Sequence, residues 1–381
     1  MFTARQEEIL RAVRRDGAVR VTEVAAQLGV SQMSVRRDIN ALADLGIVNR
    51  VHGGAVLATL QPSTGPAGLA RGQGRPLCLG MIVPDPSTYF QQMIQGARAA
   101  TEAIGAQLRV GFSSYDHGQD DALVRRMVDD RLDGLLLTPS HSLAQARETL
   151  GLLSELGTPV VIVERRQEAT SAIDSFDYVS SHHEHGALQA LRHLVGTGHR
   201  RVLMLSLPSP TSHWIQRAFD LAAEQCDQLR DIPRLVPAHP QNDREADAQI
   251  EHVLDVIGET GATAVVAHPD KQAVMLIQRA RARGWTLPDD LAVVAYDEAL
   301  AEPAGIPLTT VAPLRRTVGR LAVARLVQRI NEGAAHIPQH ILVPPQLHIR
   351  ESTGGRREES TGREGAAGKR GRVRPSLGRA G

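Results

Sequence analysis

Aromatic residues make up only 3% of this 381-residue chain, and there are just two cysteines, Cys78 and Cys226. Two isolated thiols exclude a disulfide framework and a cysteine-based zinc cluster. Charge of one sign is also missing: 43 Lys and Arg face 42 Asp and Glu, for a formal net charge of +1. A nucleic-acid surface must therefore be local and not a property of the whole chain. No apolar run approaches the roughly 18 residues of a membrane span. The opening MFTARQEEILRAVRRDG scatters charges through itself and lacks the apolar core of a signal peptide. A cytoplasmic protein without membrane contact is the expectation. Also missing are a G-x-S-x-G elbow, a P-loop and a dinucleotide fingerprint, so no cofactor or catalytic group is expected. Hydrophobic residues, at 42%, suffice for ordinary cores. At about 150 residues per domain, the length suggests two or three domains.

The first 57 residues read as a winged helix-turn-helix. A helix is predicted over 3–15, with Thr3 and Gln6 at capping-box spacing and Ile9, Leu10 and Val13 as its buried stripe. Asp16-Gly17 ends it. Thr22 is placed to cap a short second helix, with Glu23 in its first turn and Val24 and Leu28 on one face. Gly29 stops that helix in a left-handed conformation. Ser31 caps a third helix that runs to about Leu45 and ends at Gly46. IVNRV (47–51) and AVL (55–57) are β-like and flank Gly53-Gly54, the signature of a small hairpin.

On a wheel of about 100° per residue, Val35, Ile39 and Leu42 form the inward stripe of the third helix. Arg37 lies opposite, with Met33, Asn40 and Asp44, and Arg36 sits on the flank. Gln32, Met33 and Ser34 occupy the first turn, whose free N–H groups favour phosphate. A recognition helix brings such N-terminal residues to base edges in the major groove. There an arginine can bond guanine O6 and N7 together. Taken alone, this helix reads equally well as a solvated face with incidental arginines. The preceding helix, the Gly29 turn and the hairpin shift the reading to DNA.

Residues 58–76 are rich in Gly, Pro, Ala and Ser and read as a flexible linker. From Leu77 the texture changes. Short apolar runs (77–83, 107–112, 134–138, 159–163, 201–206, 263–267, 291–296) alternate with helix-length segments (88–104, 118–131, 142–156, 185–197, 213–229, 245–257, 270–283). Apolar runs of that length suit strands covered on both faces. The repeated strand-helix order predicts an α/β fold with parallel sheets, long enough for two lobes. The tail 354–381 carries Lys369, Arg370, Arg372, Arg374 and Arg379 with no acid in its final part and reads as disordered. A solvated tail is the plainer reading, a weak non-specific DNA tether the other.

The stretch TEVAAQLGVSQMSVRRDINALADLGIVNRVHGGAV resembles the DNA-binding domain of the DeoR family. The matching residues are Val30, Ser31, Ser34, Val35, Arg36, Arg37, Asp38, Ile39, Leu42, Gly46, Arg50, His52, Gly53, Gly54 and Ala55. The resemblance implies that Arg36, Arg37 and the side chains of Ser31, Gln32, Met33 and Ser34 face DNA. Arg50 and His52 would sit on the wing, and Asp38 would orient an arginine or cap locally.

Residues 77–353 resemble instead the sensor of LacI/GalR-type repressors, which is periplasmic-binding-protein-like. The match is carried by LGMIVPDPSTYFQQMIQGARAATEAIGAQL, DGLLLTPS, TPVVIVERR, DYVSSHHEHGALQALRHLVGTGHRRVLML, PDDLAVVAYDE, PLTTV and IRESTG. It implies lobe 1 over about 77–179 and 314–342, lobe 2 over about 180–313 and 343–353, and a ligand cleft between them. Ligands of open α/β sheets bind outside the carboxyl ends of the strands. Tyr89 and Phe90 are there to stack on a sugar ring, with Ser140 and Arg165 after their strands. By carry-over, Arg217, Asp270 and Asp297 hydrogen-bond sugar hydroxyls. Departures from the family pattern are Pro269 where asparagine is frequent, Asp220 where glycine is usual, and no recognisable hinge helix. His182, His183 and His185 lack a completing cysteine or carboxylate pair for a metal. His182 is read as a structural or sugar-contacting residue. Arg165 and Arg166 keep a phosphorylated sugar open; the plain alternative is a surface pair.

The combined expectation is a repressor that binds double-stranded operator DNA and answers to a sugar or sugar phosphate. One head reads a short half-site, so a homodimer or higher homo-oligomer follows; the resemblance to LacI/GalR-type sensors implies the helix near 314–332 as an interface element. A sugar-processing enzyme fused to a DNA-binding head is the alternative from another class. A transport binding protein is the third, opposed by the reading head.

Overall fold

The computed structural model describes residues 5, 6, 8, 9, 12, 13, 18–44, 48–51, 53–57, 75–115, 117–140, 147–155, 157–166, 176–226, 229, 233–298 and 305–354. Thr3, Leu10, Asp16, Gly17, Leu45, Gly46, most of the linker and nearly all of the tail lie outside these residues.

In the N-terminal module, Ile9, Ala12 and Val13 from the first helical segment pack against Val24, Val35, Ile39 and Leu42. The hairpin is present as β2 (Val48–Val51) and β3 (Gly54–Leu57), antiparallel, with Gly53 at φ 80° between them. A third strand that the sequence did not suggest, β1 (Ala18–Arg20), pairs with the other side of β3. It corrects the expected start of the second helix, Val21–Leu28. Strand β1 runs straight into that helix, so Arg20 and not Thr22 stands at its N-cap, with no side-chain cap bond. The Val21 N–H donates to Gly53 O at 2.9 Å, tying the helix start to the wing. Gly54 lets β1 and β3 approach: a Cβ there would lie 2.0 Å from Val19 O. Gly29 closes the helix at φ 62°. Ser31 Oγ accepts from the Ser34 N–H at 3.2 Å and opens the helix Gln32–Asp44, as expected.

Among the described residues, the remainder is built on two six-stranded sheets. The first has the order β14-β8-β7-β6-β4-β5 and all its pairs are parallel. Its strands are β4 (Cys78–Val83), β5 (Gln107–Phe112), β6 (Gly134–Leu137), β7 (Val160–Val163), β8 (Asp177–Ser181) and β14 (His340–Val343). The second has the order β10-β9-β11-β12-β13-β15. It comprises β9 (Val202–Ser206), β10 (Arg234–Leu235), β11 (Ala264–His268), β12 (Ala292–Tyr296), β13 (Thr309–Ala312) and β15 (Gln346–His348). Strand β15 alone runs antiparallel to its neighbour, β13. Every residue of β4, β6, β7, β9, β11 and β12 is buried, which explains their continuous apolar runs.

The chain passes from one sheet to the other after β8, after β13 and between β14 and β15. The second passage carries the helix Arg315–Glu332, which packs on Thr88–Ala103 against the first sheet. Two glycines set the closeness of these helices. A Cβ at Gly96 would lie 2.1 Å from Arg316 O, and one at Gly319 would lie 2.1 Å from Met93 O. In an open helix, Gly→Ala stabilises by about 1 kcal/mol. Gly96→Ala and Gly319→Ala are expected to destabilise by about 1–3 kcal/mol instead, because a backbone must move. Thermal denaturation checks the reversed sign.

Candidate DNA interface and effector site

The recognition helix separates its faces cleanly. Val35, Ile39 and Leu42 are buried, whereas Arg36 and Arg37 are exposed and Met33 is 70% exposed. Ser31 and Gln32 are exposed, and Ser34 is half-buried with its Oγ 3.0 Å from Ser31 Oγ. Asp38 is buried and receives the Arg5 guanidinium and, at 3.4 Å, Gln6 Nε2. It therefore holds the first helical segment to the third helix. Arg50 is exposed on β2. His52 lies outside the described residues.

The sensor candidates converge from both sheets. Arg315, 2% exposed at the start of its helix, donates to the backbone oxygen of Asp297 and lies 3.3 Å from that residue's Oδ1. Its guanidinium also stands 4.4 Å from the centre of the Tyr89 ring. Tyr89 follows β4 and Asp297 follows β12, so this one cation joins the carboxyl ends of the two sheets. Asp297 Oδ2 is 3.7 Å from His268 Nε2, and His268 Nδ1 is 3.1 Å from Ser206 Oγ.

A second junction forms around Glu184. Its carboxylate meets the Arg166 guanidinium, Arg217 Nε at 3.2 Å and His182 Nδ1 at 3.8 Å. Arg166 follows β7 and lies 3.7 Å from the centre of the Trp214 ring, on a helix that follows β9. His182 accepts from the His185 N–H at 3.3 Å and so caps its helix.

A third junction is buried. Glu164 accepts from Ser181 Oγ at 2.6 Å and Ser181 N at 3.2 Å, with His183 Nε2 at 3.5 Å. His183 Nδ1 is 3.1 Å from the Tyr296 hydroxyl. Burial pushes the Glu164 carboxyl up, but His183 and Ser181 together outweigh it and hold the group below the usual carboxylate range.

Among the other candidates, Ser140 is buried, its Oγ 2.8 Å from Ser113 Oγ and 3.0 Å from Asp120 Oδ1. Arg165 is 5% exposed and donates to Pro139 O and Glu164 O. It is not one of a surface pair. Asp270 is buried at the first turn of the helix Asp270–Ala282. Phe90 is a correction. At 2% exposure it belongs to the core cluster under β4, because one helical step turns it away from its neighbour Tyr89. Several turns after the strands carry left-handed backbone at non-glycine residues: Ser114 and Tyr115, Glu164, and Asp297 and Glu298. Such strain gathers where a site over-determines its geometry.

Sequence reasoning missed Glu164, Glu184, His268 and Arg315. Arg315 had a signal: paired arginines opening a helix oppose its dipole and need a local anion. Among the described residues no group of three or more His, Cys, Asp or Glu could hold a metal ion.

Comparison with known proteins supports both halves. Residues 5–61 match a DeoR-like helix-turn-helix domain, and residues 191–353 match a periplasmic binding protein-like domain. The HTH-type transcriptional regulator DegA of Bacillus subtilis is 23% identical over 337 residues, covering 87% of this chain and 97% of DegA. The arabinose metabolism transcriptional repressor of Geobacillus stearothermophilus is 23% identical over 359 residues, covering 87% of this chain and 90% of its own. A periplasmic binding protein/LacI transcriptional regulator from Alkaliphilus metalliredigens, solved with D-xylulofuranose, has a TM-score of 0.59 at 18% identity. That match covers 72% of this chain and 98% of the other, and shows a shared fold. The fold and these matches define a DNA-binding transcription regulator with a separate sensor. In particular, a DeoR-like helix-turn-helix domain is joined here to a periplasmic binding protein-like domain, as the sequence motifs implied.

Arg37→Ala is expected to weaken binding to a selected operator and broaden the bases accepted at one position, since a bidentate contact gives about 1–3 kcal/mol of discrimination. Selection from a randomised duplex pool, before and after substitution, checks it. Acid should weaken the fold near neutrality. Burial holds His268 below its usual range, against the opposing pull of Asp297. An unfolded histidine titrates near about 6.5 and takes up its proton first, so stability falls as the pH drops through that value. The fall levels off below the depressed folded value. Thermal midpoints from about pH 7.5 to 5.5 should decline, and His268→Gln should flatten the slope.

Proposed function

We propose that this protein is a repressor whose hold on operator DNA is controlled by a sugar or sugar derivative received where the two sheets meet. The observation that carries the reading is the convergence of Tyr89, Arg165, Arg315, Asp297 and the Glu184 cluster at the carboxyl ends of both sheets. This is where open α/β sheets take ligands. The carboxyl oxygens of Asp297 and Asp270 have acceptor capacity for adjacent hydroxyls. The Arg36–Arg37 face supplies the DNA contact, with Ser31, Gln32, Met33 and Ser34 at the base edges and Arg50 on the wing. A dimer presents two such helices to a two-part operator. The cytoplasm is its place of work. Ligand acts only through its different affinity for the DNA-competent and DNA-released arrangements of the lobes.

A thermal-shift screen of sugars and sugar derivatives tests the reading, since a ligand of the folded state raises apparent stability. Hits are then added to a protein–operator complex and release is measured by fluorescence anisotropy. Asp297→Ala should abolish the response. It should also cost stability, about 3–5 kcal/mol, because it leaves the Arg315 guanidinium buried without its carboxylate.

A further inference from the structure

The charge of Arg165 is not neutralised in the way its neighbours are. Arg315 has Asp297, and Arg166 and Arg217 share Glu184. Arg165 is 5% exposed, yet forms no ion pair among the described residues. Its Nε donates to Pro139 O at 3.0 Å and its Nη1 to Glu164 O at 2.9 Å, both neutral carbonyls. Its Nη2 has no hydrogen bond among the described residues. The acids that act on it electrostatically, Glu164 and Asp120, are held elsewhere: Glu164 by Ser181 and His183, Asp120 by Ser140. Burial depresses the guanidinium, with the Tyr115 and Tyr89 rings among its closest titratable neighbours.

Around it are further polar atoms without partners. Tyr89 Oη, Thr138 Oγ1 and Arg315 Nε are buried and make no hydrogen bond. Thr138 adjoins Pro139, which Arg165 grips, and Arg315 stands over Tyr89. Similar atoms occur elsewhere, as at Arg98 Nε, but not beside a buried cation without a counter-charge. Two of these four groups can only donate, and the two hydroxyls can. A neutral sugar offers hydroxyls, which accept and donate alike. Carboxylate and phosphate oxygens only accept, and charge-assisted bonds to them are about twice as strong as neutral ones.

We propose that the effector is an anionic sugar derivative, a sugar acid or a sugar phosphate, and that Arg165 takes its charged group while the sensor's carboxylates take its hydroxyls. The proposal rests on the sensor reading above and narrows it to a chemical class.

The test is a thermal-shift series on the full chain at constant ionic strength. The probes are neutral pentoses and hexoses, their aldonic and uronic acids, their phosphates, and inorganic phosphate and acetate alone. The expected result is stabilisation by anionic members only, with the acid and phosphate arms telling the two sources apart. Arg165→Gln should weaken the best anionic probe by about 10- to 100-fold, the loss expected of a hydrogen bond to a charged group. Arg165→Lys, which keeps the charge, should retain the preference for anionic over neutral forms. If the Gln variant does not fold, the ranking of probes on the unaltered protein still decides. A neutral parent that stabilises as well as its acid or phosphate overturns the anionic inference and leaves the sugar-sensor reading standing. A full shift from inorganic phosphate or acetate alone overturns the sugar-anion inference. No shift from any member overturns both readings.

Discussion

The buried guanidinium of Arg315 is the contact on which the sensor's geometry depends. It opens a helix, where the backbone dipole already disfavours a cation. Almost no water reaches it. Such a charge is tolerated only with close partners, and removing one exposes the full desolvation cost. Its partners are the Asp297 backbone oxygen, the Asp297 carboxylate and the face of Tyr89. Because Tyr89 and Asp297 belong to different sheets, satisfying one cation fixes how the two carboxyl ends meet. The left-handed backbone at Asp297, φ 104°, is held in place by the same bonds.

Around that anchor, ionic partners are shared and not simply paired. Glu184 serves Arg166 and Arg217, and Arg166 also lies on Trp214. Glu164 is divided between a serine and a histidine, and that histidine leans on Tyr296. A ligand entering such a network has to exchange bonds with it, not just fill space. A ligand that exchanges such bonds shifts the network only by its differential affinity for one arrangement over another.

The reading head was almost entirely legible in the sequence. The stripe Val35, Ile39, Leu42 follows helical periodicity, and the helix stop at Gly29 and the hairpin turn at Gly53 are local backbone chemistry. What escaped was β1, three residues whose strand character comes only from pairing with β3. The partner of Asp38 escaped too, because Arg5 belongs to another helix. In the sensor, the strands buried on both faces announced themselves as unbroken apolar runs. The strands β8, β10, β13, β14 and β15 did not, being made by their neighbours. Tyr89 and Phe90 looked alike in sequence, yet one borders the junction of the sheets and the other fills the core. A single helical step decided that.

The sequence by itself determined the modules: periodicity, caps and turn glycines are local, and they specify a winged helix-turn-helix followed by parallel α/β lobes. It also marked the strand ends from which candidate residues would come. Only the tertiary structure decided which charges find partners. Arg165, Arg166 and Arg315 are equivalent letters in a chain, each an arginine beside a strand or helix end. Burial and the direction of approach leave Arg315 and Arg166 neutralised and Arg165 in contact with carbonyls alone. Ion pairing acts across a few ångströms of folded space, and no local pattern along the chain encodes that distance.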